Sequence, residues 1–161
     1  MGNRVGIGRD IHELFDGEPL VLGGVIISSA RGFRTHSDGD VLCHALIDAL
    51  AGAMSDGDLG THFPEDDPGS EDARSLNFVV EFASYVAEQG FKITNIDSFV
   101  TLGTVKLRPY IAEMQSNIAA ALSIDPTYVS VKARSNDGIS PEGVGDAASA
   151  TVIVLLEEVF F

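Results

Sequence analysis

Two segments of the chain carry aspartate and histidine at spacings that could bind a metal ion. In Arg4–His12, which is predicted to be a strand, Asp10 and His12 lie two residues apart and therefore point to one face. His44 lies in a later segment with a helical pattern. One carboxylate and two imidazoles with a vacant position are the usual ligand set of a catalytic zinc. Spacing alone leaves open that His44 is an ordinary histidine at the edge of a buried face.

The helix that carries His44 is predicted within Thr35–Met54. Ser37 followed three residues later by Asp40 is a capping-box pattern, so we expect the helix to begin at Ser37. Beyond it, apolar residues recur at helical spacing and predict a buried face: Val41, Leu42, Ala45, Leu46, Ala49, Leu50, Ala53 and Met54. A second row, Asp40, His44 and Asp48, runs beside this face.

The remaining pattern predicts one α+β domain over 1–161, with a mixed β-sheet and its helices packed on one face. After the first strand we expect a hairpin over 20–27, an acidic surface loop over 61–72, helices over 73–89 and 109–122, a polar loop over 134–146, and strands over 91–102, 129–133 and 148–159. The last strand is apolar at nearly every position from Val152 to Leu156. A domain this small rarely covers both faces of a strand, so the pattern predicts an oligomer.

The composition limits the classes of protein and the partners to be considered. The 161 residues are 45% apolar, which suits one domain with a core. No apolar run is long enough to span a bilayer and the N-terminus lacks a signal-peptide pattern, so we expect a cytoplasmic protein with no membrane partner. The single Cys43 fits a reducing compartment and is expected to be buried. A net charge of −14 argues against nucleic acid as a partner. Any phosphorylated substrate would need bound cations, while a solvated acidic surface is the plainer explanation of the charge.

Several short sequence motifs, taken together, resemble those of the 2-C-methyl-D-erythritol 2,4-cyclodiphosphate synthase family. They are Gly8-x-Asp10-x-His12, His36-Ser37-Asp38-Gly39-Asp40-Val41 with His44-Ala45 and Asp48-Ala49, Gly57-Asp58-Leu59-Gly60, and Phe63-Pro64. The resemblance runs from end to end in the same order. It implies a phosphorus-oxygen lyase of the methylerythritol phosphate pathway that converts 4-diphosphocytidyl-2-C-methyl-D-erythritol 2-phosphate into the cyclic diphosphate and CMP. It also implies a homotrimer with sheets around the threefold axis and active sites between subunits.

The same resemblance implies roles for individual residues. Asp10, His12 and His44 would hold Zn2+ or another divalent transition metal, and Asp137 would bind the Mg2+ or Mn2+ that accompanies the diphosphate. His36 and Ser135 would stabilise the transition state, and the helix dipole would assist His36 and Ser37. The cytidine diphosphate-linked substrate would contact Asp10, His12, His36, Ser37, Asp58, Leu59, Gly60, Phe63, Pro64, Glu65, Asp66, Asp67, Leu102, Gly103, Thr104, Val105, Lys106, Leu107, Arg108, Arg134, Ser135, Asn136 and Asp137.

Four of these positions, or their neighbours, have plainer interpretations. Ser37 could simply cap the helix, and Asp58 could be a turn residue. Lys106 could be a solvated charge before a helix. We expect His62 to be a solvated loop histidine with no role in the site.

The chain departs from the family pattern near its C-terminal end. Ser135-Asn136-Asp137 stands where Thr-Thr-Glu is common, and Pro141 and Val144 stand where Phe and Arg are usual. The missing Arg argues against isoprenoid-diphosphate binding at the trimer axis. Gly103 and Val105 also differ from the usual residues, which would alter nucleotide affinity. Two alternatives follow: a related zinc-dependent phosphohydrolase or cyclase with another substrate, and a catalytically silent metal-binding trimer.

Overall fold

The computed structural model describes residues 2–71 and 73–159, and it contains seven strands within that part of the chain. They are β1 (Asn3–Asp16), β2 (Leu20–Leu22), β3 (Val25–Ile27), β4 (Arg31–Phe33), β5 (Phe91–Thr101), β6 (Val129–Arg134) and β7 (Ala147–Glu158). Five of them form one sheet in the order β4-β1-β7-β5-β6, and β2 and β3 form a separate hairpin. Because β5 and β6 run parallel while the other neighbours run antiparallel, the predicted mixed sheet is confirmed.

Helices connect these strands. They are α1 (Val41–Ala53), α2 (Leu59–His62), α3 (Ser75–Glu88), α4 (Ile111–Leu122) and α5 (Ser140–Gly143), with short 3-10 turns at Pro68–Ser70, Arg108–Tyr110, Pro126–Tyr128 and Asn136–Gly138. The two long helices expected after α1 are confirmed as α3 and α4, and the α+β class is confirmed with them. Among the described residues, no helix has both the length and the apolar content that crossing a bilayer requires.

Two glycines of β1 allow α1 to lie directly on the sheet. A Cβ atom on Gly6 would lie 1.9 Å from the Ala49 carbonyl oxygen, and one on Gly8 would lie 2.1 Å from the Ala45 carbonyl oxygen. Side chains alternate between the faces of a strand, so Asp10 and His12 share the face of Gly6 and Gly8. The close approach therefore places both of them under the helix that carries His44.

The start of α1 differs from the prediction. The helix begins at Val41, and Asp40 is its N-cap, with its carboxylate accepting from the Cys43 amide at 3.1 Å. The same carboxylate accepts from the amides of Gly23 and Gly24 in the β2–β3 turn at 2.9 and 2.8 Å. Because these amides hold it, the Asp40 side chain is not available to the amide of Ser37, and the capping-box prediction is wrong. Burial raises the pKa of the Asp40 carboxyl, and the three amides act against that rise.

Three further expectations need correction. The first strand is longer than Arg4–His12 and extends to Asp16. The predicted surface loop over 61–72 contains the end of α2 and a 3-10 turn, because Asp58 and Asp67 accept hydrogen bonds from amides two or three residues ahead; position 72 lies outside the described residues. The loop over 134–146 likewise contains a 3-10 turn and α5.

His62 is not a solvated loop histidine. Its Nε2 atom lies 2.7 Å from the Asp56 carbonyl oxygen, and its ring packs edge-on against Phe82 at 4.9 Å between centroids. Its side chain is 19% exposed. The residue therefore ties α2 to α3, which is a structural role outside the predicted site.

The helices cover one face of the main sheet and leave the other face exposed. On the helix side, Val152, Val154 and Leu156 of β7 are buried in the core. On the other side, β1 and β7 expose large apolar residues, with Val5 at 69%, Ile7 at 66% and Ile153 at 46%. The unbroken apolar run of the last strand thus reflects one buried face and one face that a single chain leaves in contact with water.

Candidate metal centre and active site

Asp10, His12 and His44 meet at one end of the contact between β1 and α1. The Asp10 Oδ2 atom lies 3.0 Å from His44 Nδ1 and 3.2 Å from His12 Nε2. One ligand atom from each residue can be chosen so that all three lie within 4.8 Å of one another. The two distant segments singled out in the sequence therefore converge, and His44 lies beside Asp10 and His12.

The three groups fit a divalent cation by chemistry as well as by distance. A transition metal bound at about 2.0–2.1 Å by nitrogen and oxygen ligands needs those ligands a little over 3 Å apart, which is close to the two distances from Asp10. The side chains of Asp10 and His12 are 24% and 21% exposed, whereas His44 is buried. The cluster is thus supported by protein on one side and open to a ligand on the other.

A second row of polar groups lies behind the cluster. The Nε2 atom of His44 is 2.8 Å from the Ser75 hydroxyl, and that hydroxyl is 2.5 Å from Asp38 Oδ1. Asp38 also accepts from the backbone amide of Ser75 at 3.0 Å. Burial lowers the pKa of His44, but the hydrogen bond and charge of Asp10 outweigh it, so the pKa of His44 is raised above its usual value. Asp10 and Ser75 therefore contact the two ring nitrogens of His44, one on each side of the ring.

The cluster opens into a cavity of about 300 Å³. Six of the predicted substrate-contact residues that are not metal ligands lie on its wall: His36, Ser37, Leu59, Phe63, Pro64 and Glu65. Arg34, Thr35 and Phe78 line it as well, and the sequence interpretation assigned them no role. His36 is exposed at this wall, so an anion at the cluster would lie within the same cavity as His36.

Four residues predicted in the same region do not line this cavity. Asp58 caps α2, accepting from the amide and hydroxyl of Thr61 at 2.9 and 2.8 Å, and these hydrogen bonds lower its pKa. Asp67 accepts from the Gly69 amide at 3.0 Å. Gly60 and Asp66 lie near them in the chain and are also absent from the cavity wall. The plainer interpretation of Asp58 as a turn residue describes its contacts in this chain.

The predicted nucleotide segment lies in a separate, more open cavity of about 820 Å³. It is formed by residues 102–109 and 133–135. Leu102–Arg108, Arg134 and Ser135 are thus brought together as predicted, yet this cavity and the metal cavity have no lining residue in common. Within one chain the predicted site is divided into two halves.

Asn136 and Asp137 line neither cavity. Both adopt positive φ values, 55° and 52°, inside the 3-10 turn that follows β6. The side-chain amide of Asn136 donates to the Ser140 hydroxyl at 2.8 Å. The backbone amide of Asp137 donates to the Ser135 hydroxyl at 3.2 Å. The structure of one chain therefore leaves Asp137, the predicted magnesium ligand, exposed and away from Asp10, His12 and His44.

Sequence reasoning missed the contacts of three polar residues, of which Ser75 and Glu142 are buried and Asp38 is half-buried. Ser75 and Asp38 support His44, and Glu142 is buried on the outer side of the sheet, where it accepts from the Ser149 hydroxyl at 3.0 Å and from Arg9 at 3.2 Å. Burial of Glu142 alone would raise its pKa, but hydrogen bonds and the charge of Arg9 bring that pKa below its usual value. Asp38 belongs to the motif His36-Ser37-Asp38-Gly39-Asp40-Val41 that carries the family resemblance, whereas nothing in the local sequence marked Ser75 or Glu142 as buried.

Comparisons with known proteins are consistent with this geometry. Residues 3–157 match the model of the YgbB family. A 2-C-methyl-D-erythritol 2,4-cyclodiphosphate synthase from Pelotomaculum thermopropionicum is 43% identical over 155 residues, which cover 96% of each chain. The structure of the bifunctional IspDF from Campylobacter jejuni superimposes with a TM-score of 0.92 at 36% identity, and the match covers 99% of this chain but only 43% of that one. The CDP complex of IspF from Plasmodium falciparum gives a TM-score of 0.85 at 28% identity, covering 99% of this chain and 98% of that one.

Proposed function

The chain belongs to the YgbB family, and we propose that it is a 2-C-methyl-D-erythritol 2,4-cyclodiphosphate synthase of isoprenoid precursor biosynthesis. In this reaction the 2-phosphate of 4-diphosphocytidyl-2-C-methyl-D-erythritol 2-phosphate attacks the β-phosphorus. The bond from that phosphorus to the CMP oxygen breaks, CMP leaves, and the ring closes. The enzyme would accordingly be a phosphorus-oxygen lyase. It needs no protein nucleophile, because the substrate supplies one.

The observation that carries this proposal is the convergence of Asp10, His12 and His44 at the wall of the cavity that also contains His36 and Ser37. A chain with net charge −14 and ten basic residues has little positive charge to offer a diphosphate. Divalent cations, zinc at the cluster and magnesium or manganese with the diphosphate, would neutralise the phosphate charge and polarise a phosphoryl oxygen. Asp10, His12 and His44 are the residues that would hold the first of them.

The other residues of the metal cavity would bind and orient the substrate. His36 can donate from its ring to a phosphoryl oxygen, and Ser37 can donate its hydroxyl. Leu59, Phe63 and Pro64 offer an apolar wall to the methylerythritol carbons. The helix α1 begins four residues after Ser37, and Asp40 occupies its N-cap. The contribution proposed for His36 and Ser37 is therefore direct hydrogen bonding rather than an effect of the helix dipole.

The second half of the site would bind the cytidine and its phosphates. Leu102–Arg108 provide backbone groups around an open cavity, and Lys106, Arg108 and Arg134 add charge beside it. Ser135 would donate its hydroxyl in the transition state, and Asp137 would bind magnesium. These roles require the nucleotide half to face a metal half, and the two halves are separate in one chain.

A homotrimer would bring the two halves together from neighbouring subunits. The exposed apolar residues Val5, Ile7, Ile11 and Ile153 on the outer side of the sheet support such an assembly, because burying them stabilises it by about 25 cal/mol per Å². We propose that these sheets face the threefold axis. Val144 is 55% exposed and offers no charge, so the proposal includes no isoprenoid-diphosphate site at that position. A cytoplasmic location, with which the single cysteine is consistent, stays a prediction.

The reaction itself is tested with the cytidyl substrate in the presence of zinc and magnesium. Phosphorus NMR should show the cyclic diphosphate forming together with CMP. His12→Ala should lower the rate more than about 100-fold, since it removes a direct ligand. CMP release without a cyclic product would favour the alternative of a related phosphohydrolase. Bound zinc with no turnover of any kind would favour the catalytically silent trimer.

The assembly is tested by placing a charge on the outer sheet face. Ile7→Lys should convert a trimer into smaller species in sedimentation velocity and abolish turnover. Ile26→Lys is the matched control, because Ile26 is 78% exposed on the β2–β3 hairpin and lies away from that face. A monomeric wild-type protein with full activity would rule out a site shared between subunits.

A further inference from the structure

Ser75 is a completely buried serine whose hydroxyl lies between two charged or titratable side chains. It is the first residue of α3, and it is 0% exposed. Its Oγ atom lies 2.5 Å from Asp38 Oδ1 and 2.8 Å from His44 Nε2. Three segments that are distant in the sequence therefore meet at this hydroxyl: the turn before α1, α1 itself and the start of α3.

The direction of these hydrogen bonds follows from the chemistry of the three groups. A carboxylate only accepts, so the serine O–H donates to Asp38. The serine oxygen then has only lone pairs to offer His44, and the short distance to Nε2 requires that this nitrogen carry a proton. With its proton kept on Nε2, His44 can bind a cation only through Nδ1. Nδ1 lies 3.0 Å from the Asp10 carboxylate, a contact in which Nδ1 also donates, and a bound cation would replace that proton.

We propose that Ser75, held by Asp38, is a positioning residue that fixes the tautomer and ring orientation of His44 so that Nδ1 presents its lone pair to the cation. This inference rests on the proposed metal site. Ser75 touches neither the cation nor the substrate; it acts through His44. A metal-bound histidine generally donates its second ring N–H to an acceptor, and here a serine would connect that N–H to a carboxylate.

Helix capping alone does not account for this serine hydroxyl. The Asp38 carboxylate already accepts from the backbone amide of Ser75 at 3.0 Å and from that of Asp40 at 3.1 Å. Any residue at position 75 would keep its own amide bond to Asp38. The side-chain oxygen is needed only because His44 Nε2 would otherwise be a buried donor without a partner, which costs about 1–3 kcal/mol.

The test uses Ser75→Ala, which removes the hydroxyl and keeps the backbone amide. The full chain is stripped of metal, and zinc affinity is measured by competition with a chelator. Long-range nitrogen-proton correlation spectra of the histidine-labelled, zinc-loaded protein report which ring nitrogen of His44 binds zinc and which carries the proton. Ser98→Ala is the matched control, because Ser98 is also buried and its hydroxyl donates to the Ser130 carbonyl at 2.8 Å, far along β5 from the cluster.

Ser75→Ala should weaken zinc binding by about 10-fold to 100-fold and should remove the preference for the Nε2-protonated tautomer. Ser98→Ala should change neither. If Ser75→Ala does not fold, Ser75→Cys keeps the shape with a weaker acceptor and should shift both measurements in the same direction. Unchanged zinc affinity or an unchanged tautomer in the folded variant overturns the role of Ser75. Absence of zinc binding in the wild type would instead overturn the metal site itself.

Discussion

The metal half of the site and the nucleotide half are built in opposite ways. Asp10, His12 and His44 lie on a strand of the main sheet and a buried helix, and hydrogen bonds hold His44 at both ring nitrogens. The residues after β6 form exposed turns in which Asn136, Asp137 and Ser140 all adopt positive φ, and the side chains of Asn136 and Ser140 bond to each other. The first half is preorganised within one chain. The second half, as proposed, would be completed by a neighbouring subunit.

The preorganisation of the metal half depends on backbone contact more than on the ligands. The helix α1 lies close enough to β1 that there is no room for a side chain at Gly6 or Gly8. Asp40 then fixes the start of the helix by bonding the hairpin amides of Gly23 and Gly24. His44 follows one turn later, so its position over Asp10 is set before any metal binds. Variants in each half test whether the two halves differ in this way.

The largest effect is expected from Gly8→Ala. The new Cβ would lie 2.1 Å from the Ala45 carbonyl oxygen and 2.6 Å from the Ala49 amide nitrogen, so α1 must move away from the sheet. We expect the free energy of unfolding in denaturant to fall by about 3 kcal/mol or more and zinc affinity to fall with it, because overpacking displaces His44 relative to Asp10.

Gly52→Ala is the matched control on the same helix. A Cβ at Gly52 meets only the Ile7 carbonyl oxygen, at 3.9 Å, so this variant should gain roughly 0.5–1 kcal/mol from helix propensity. Equal behaviour of the two variants would show that close packing of α1 on β1 does not position the metal half.

Part of the metal half could be predicted from local rules. The two-residue period of a strand put Asp10 and His12 on one face, whereas the inclusion of His44 depended on the family resemblance. The helix start could not be predicted in this way. Ser37 and Asp40 satisfy the local capping pattern, but the Asp40 carboxylate bonds the amides of Gly23 and Gly24, which are 17 and 16 residues away. The burial of Ser75 and Glu142 depends on tertiary contacts and has no local signal either.

Lys106→Ala should affect the nucleotide half alone. Lys106 is exposed at the edge of the second cavity, where a phosphate could accept from its ammonium group. Removing that contact should weaken binding of CDP about 10-fold in calorimetry, corresponding to about 1.4 kcal/mol, with zinc affinity unchanged.

Lys92→Ala, which removes an exposed lysine of β5 away from both cavities, should leave both affinities as they are. If Lys106→Ala behaves like this control, Lys106 is a solvated charge, the plainer interpretation of that residue. If it weakens zinc binding as well, the two halves are coupled and their contrast is wrong.

The smallest effect is expected from Ser37→Ala measured as stability. Within the described part of the chain, the Ser37 hydroxyl accepts only from the Gly39 amide at 3.2 Å, a local contact that water can replace at this half-buried turn. Ser29 makes the same kind of contact, accepting from the Arg31 amide at 3.2 Å, and Ser29→Ala is therefore its matched variant. Both should lose less than about 0.5 kcal/mol in the free energy of unfolding. A loss near 1 kcal/mol for Ser37→Ala alone would restore a capping role for this serine. With stability unchanged, any loss of turnover in Ser37→Ala belongs to substrate binding in the metal half.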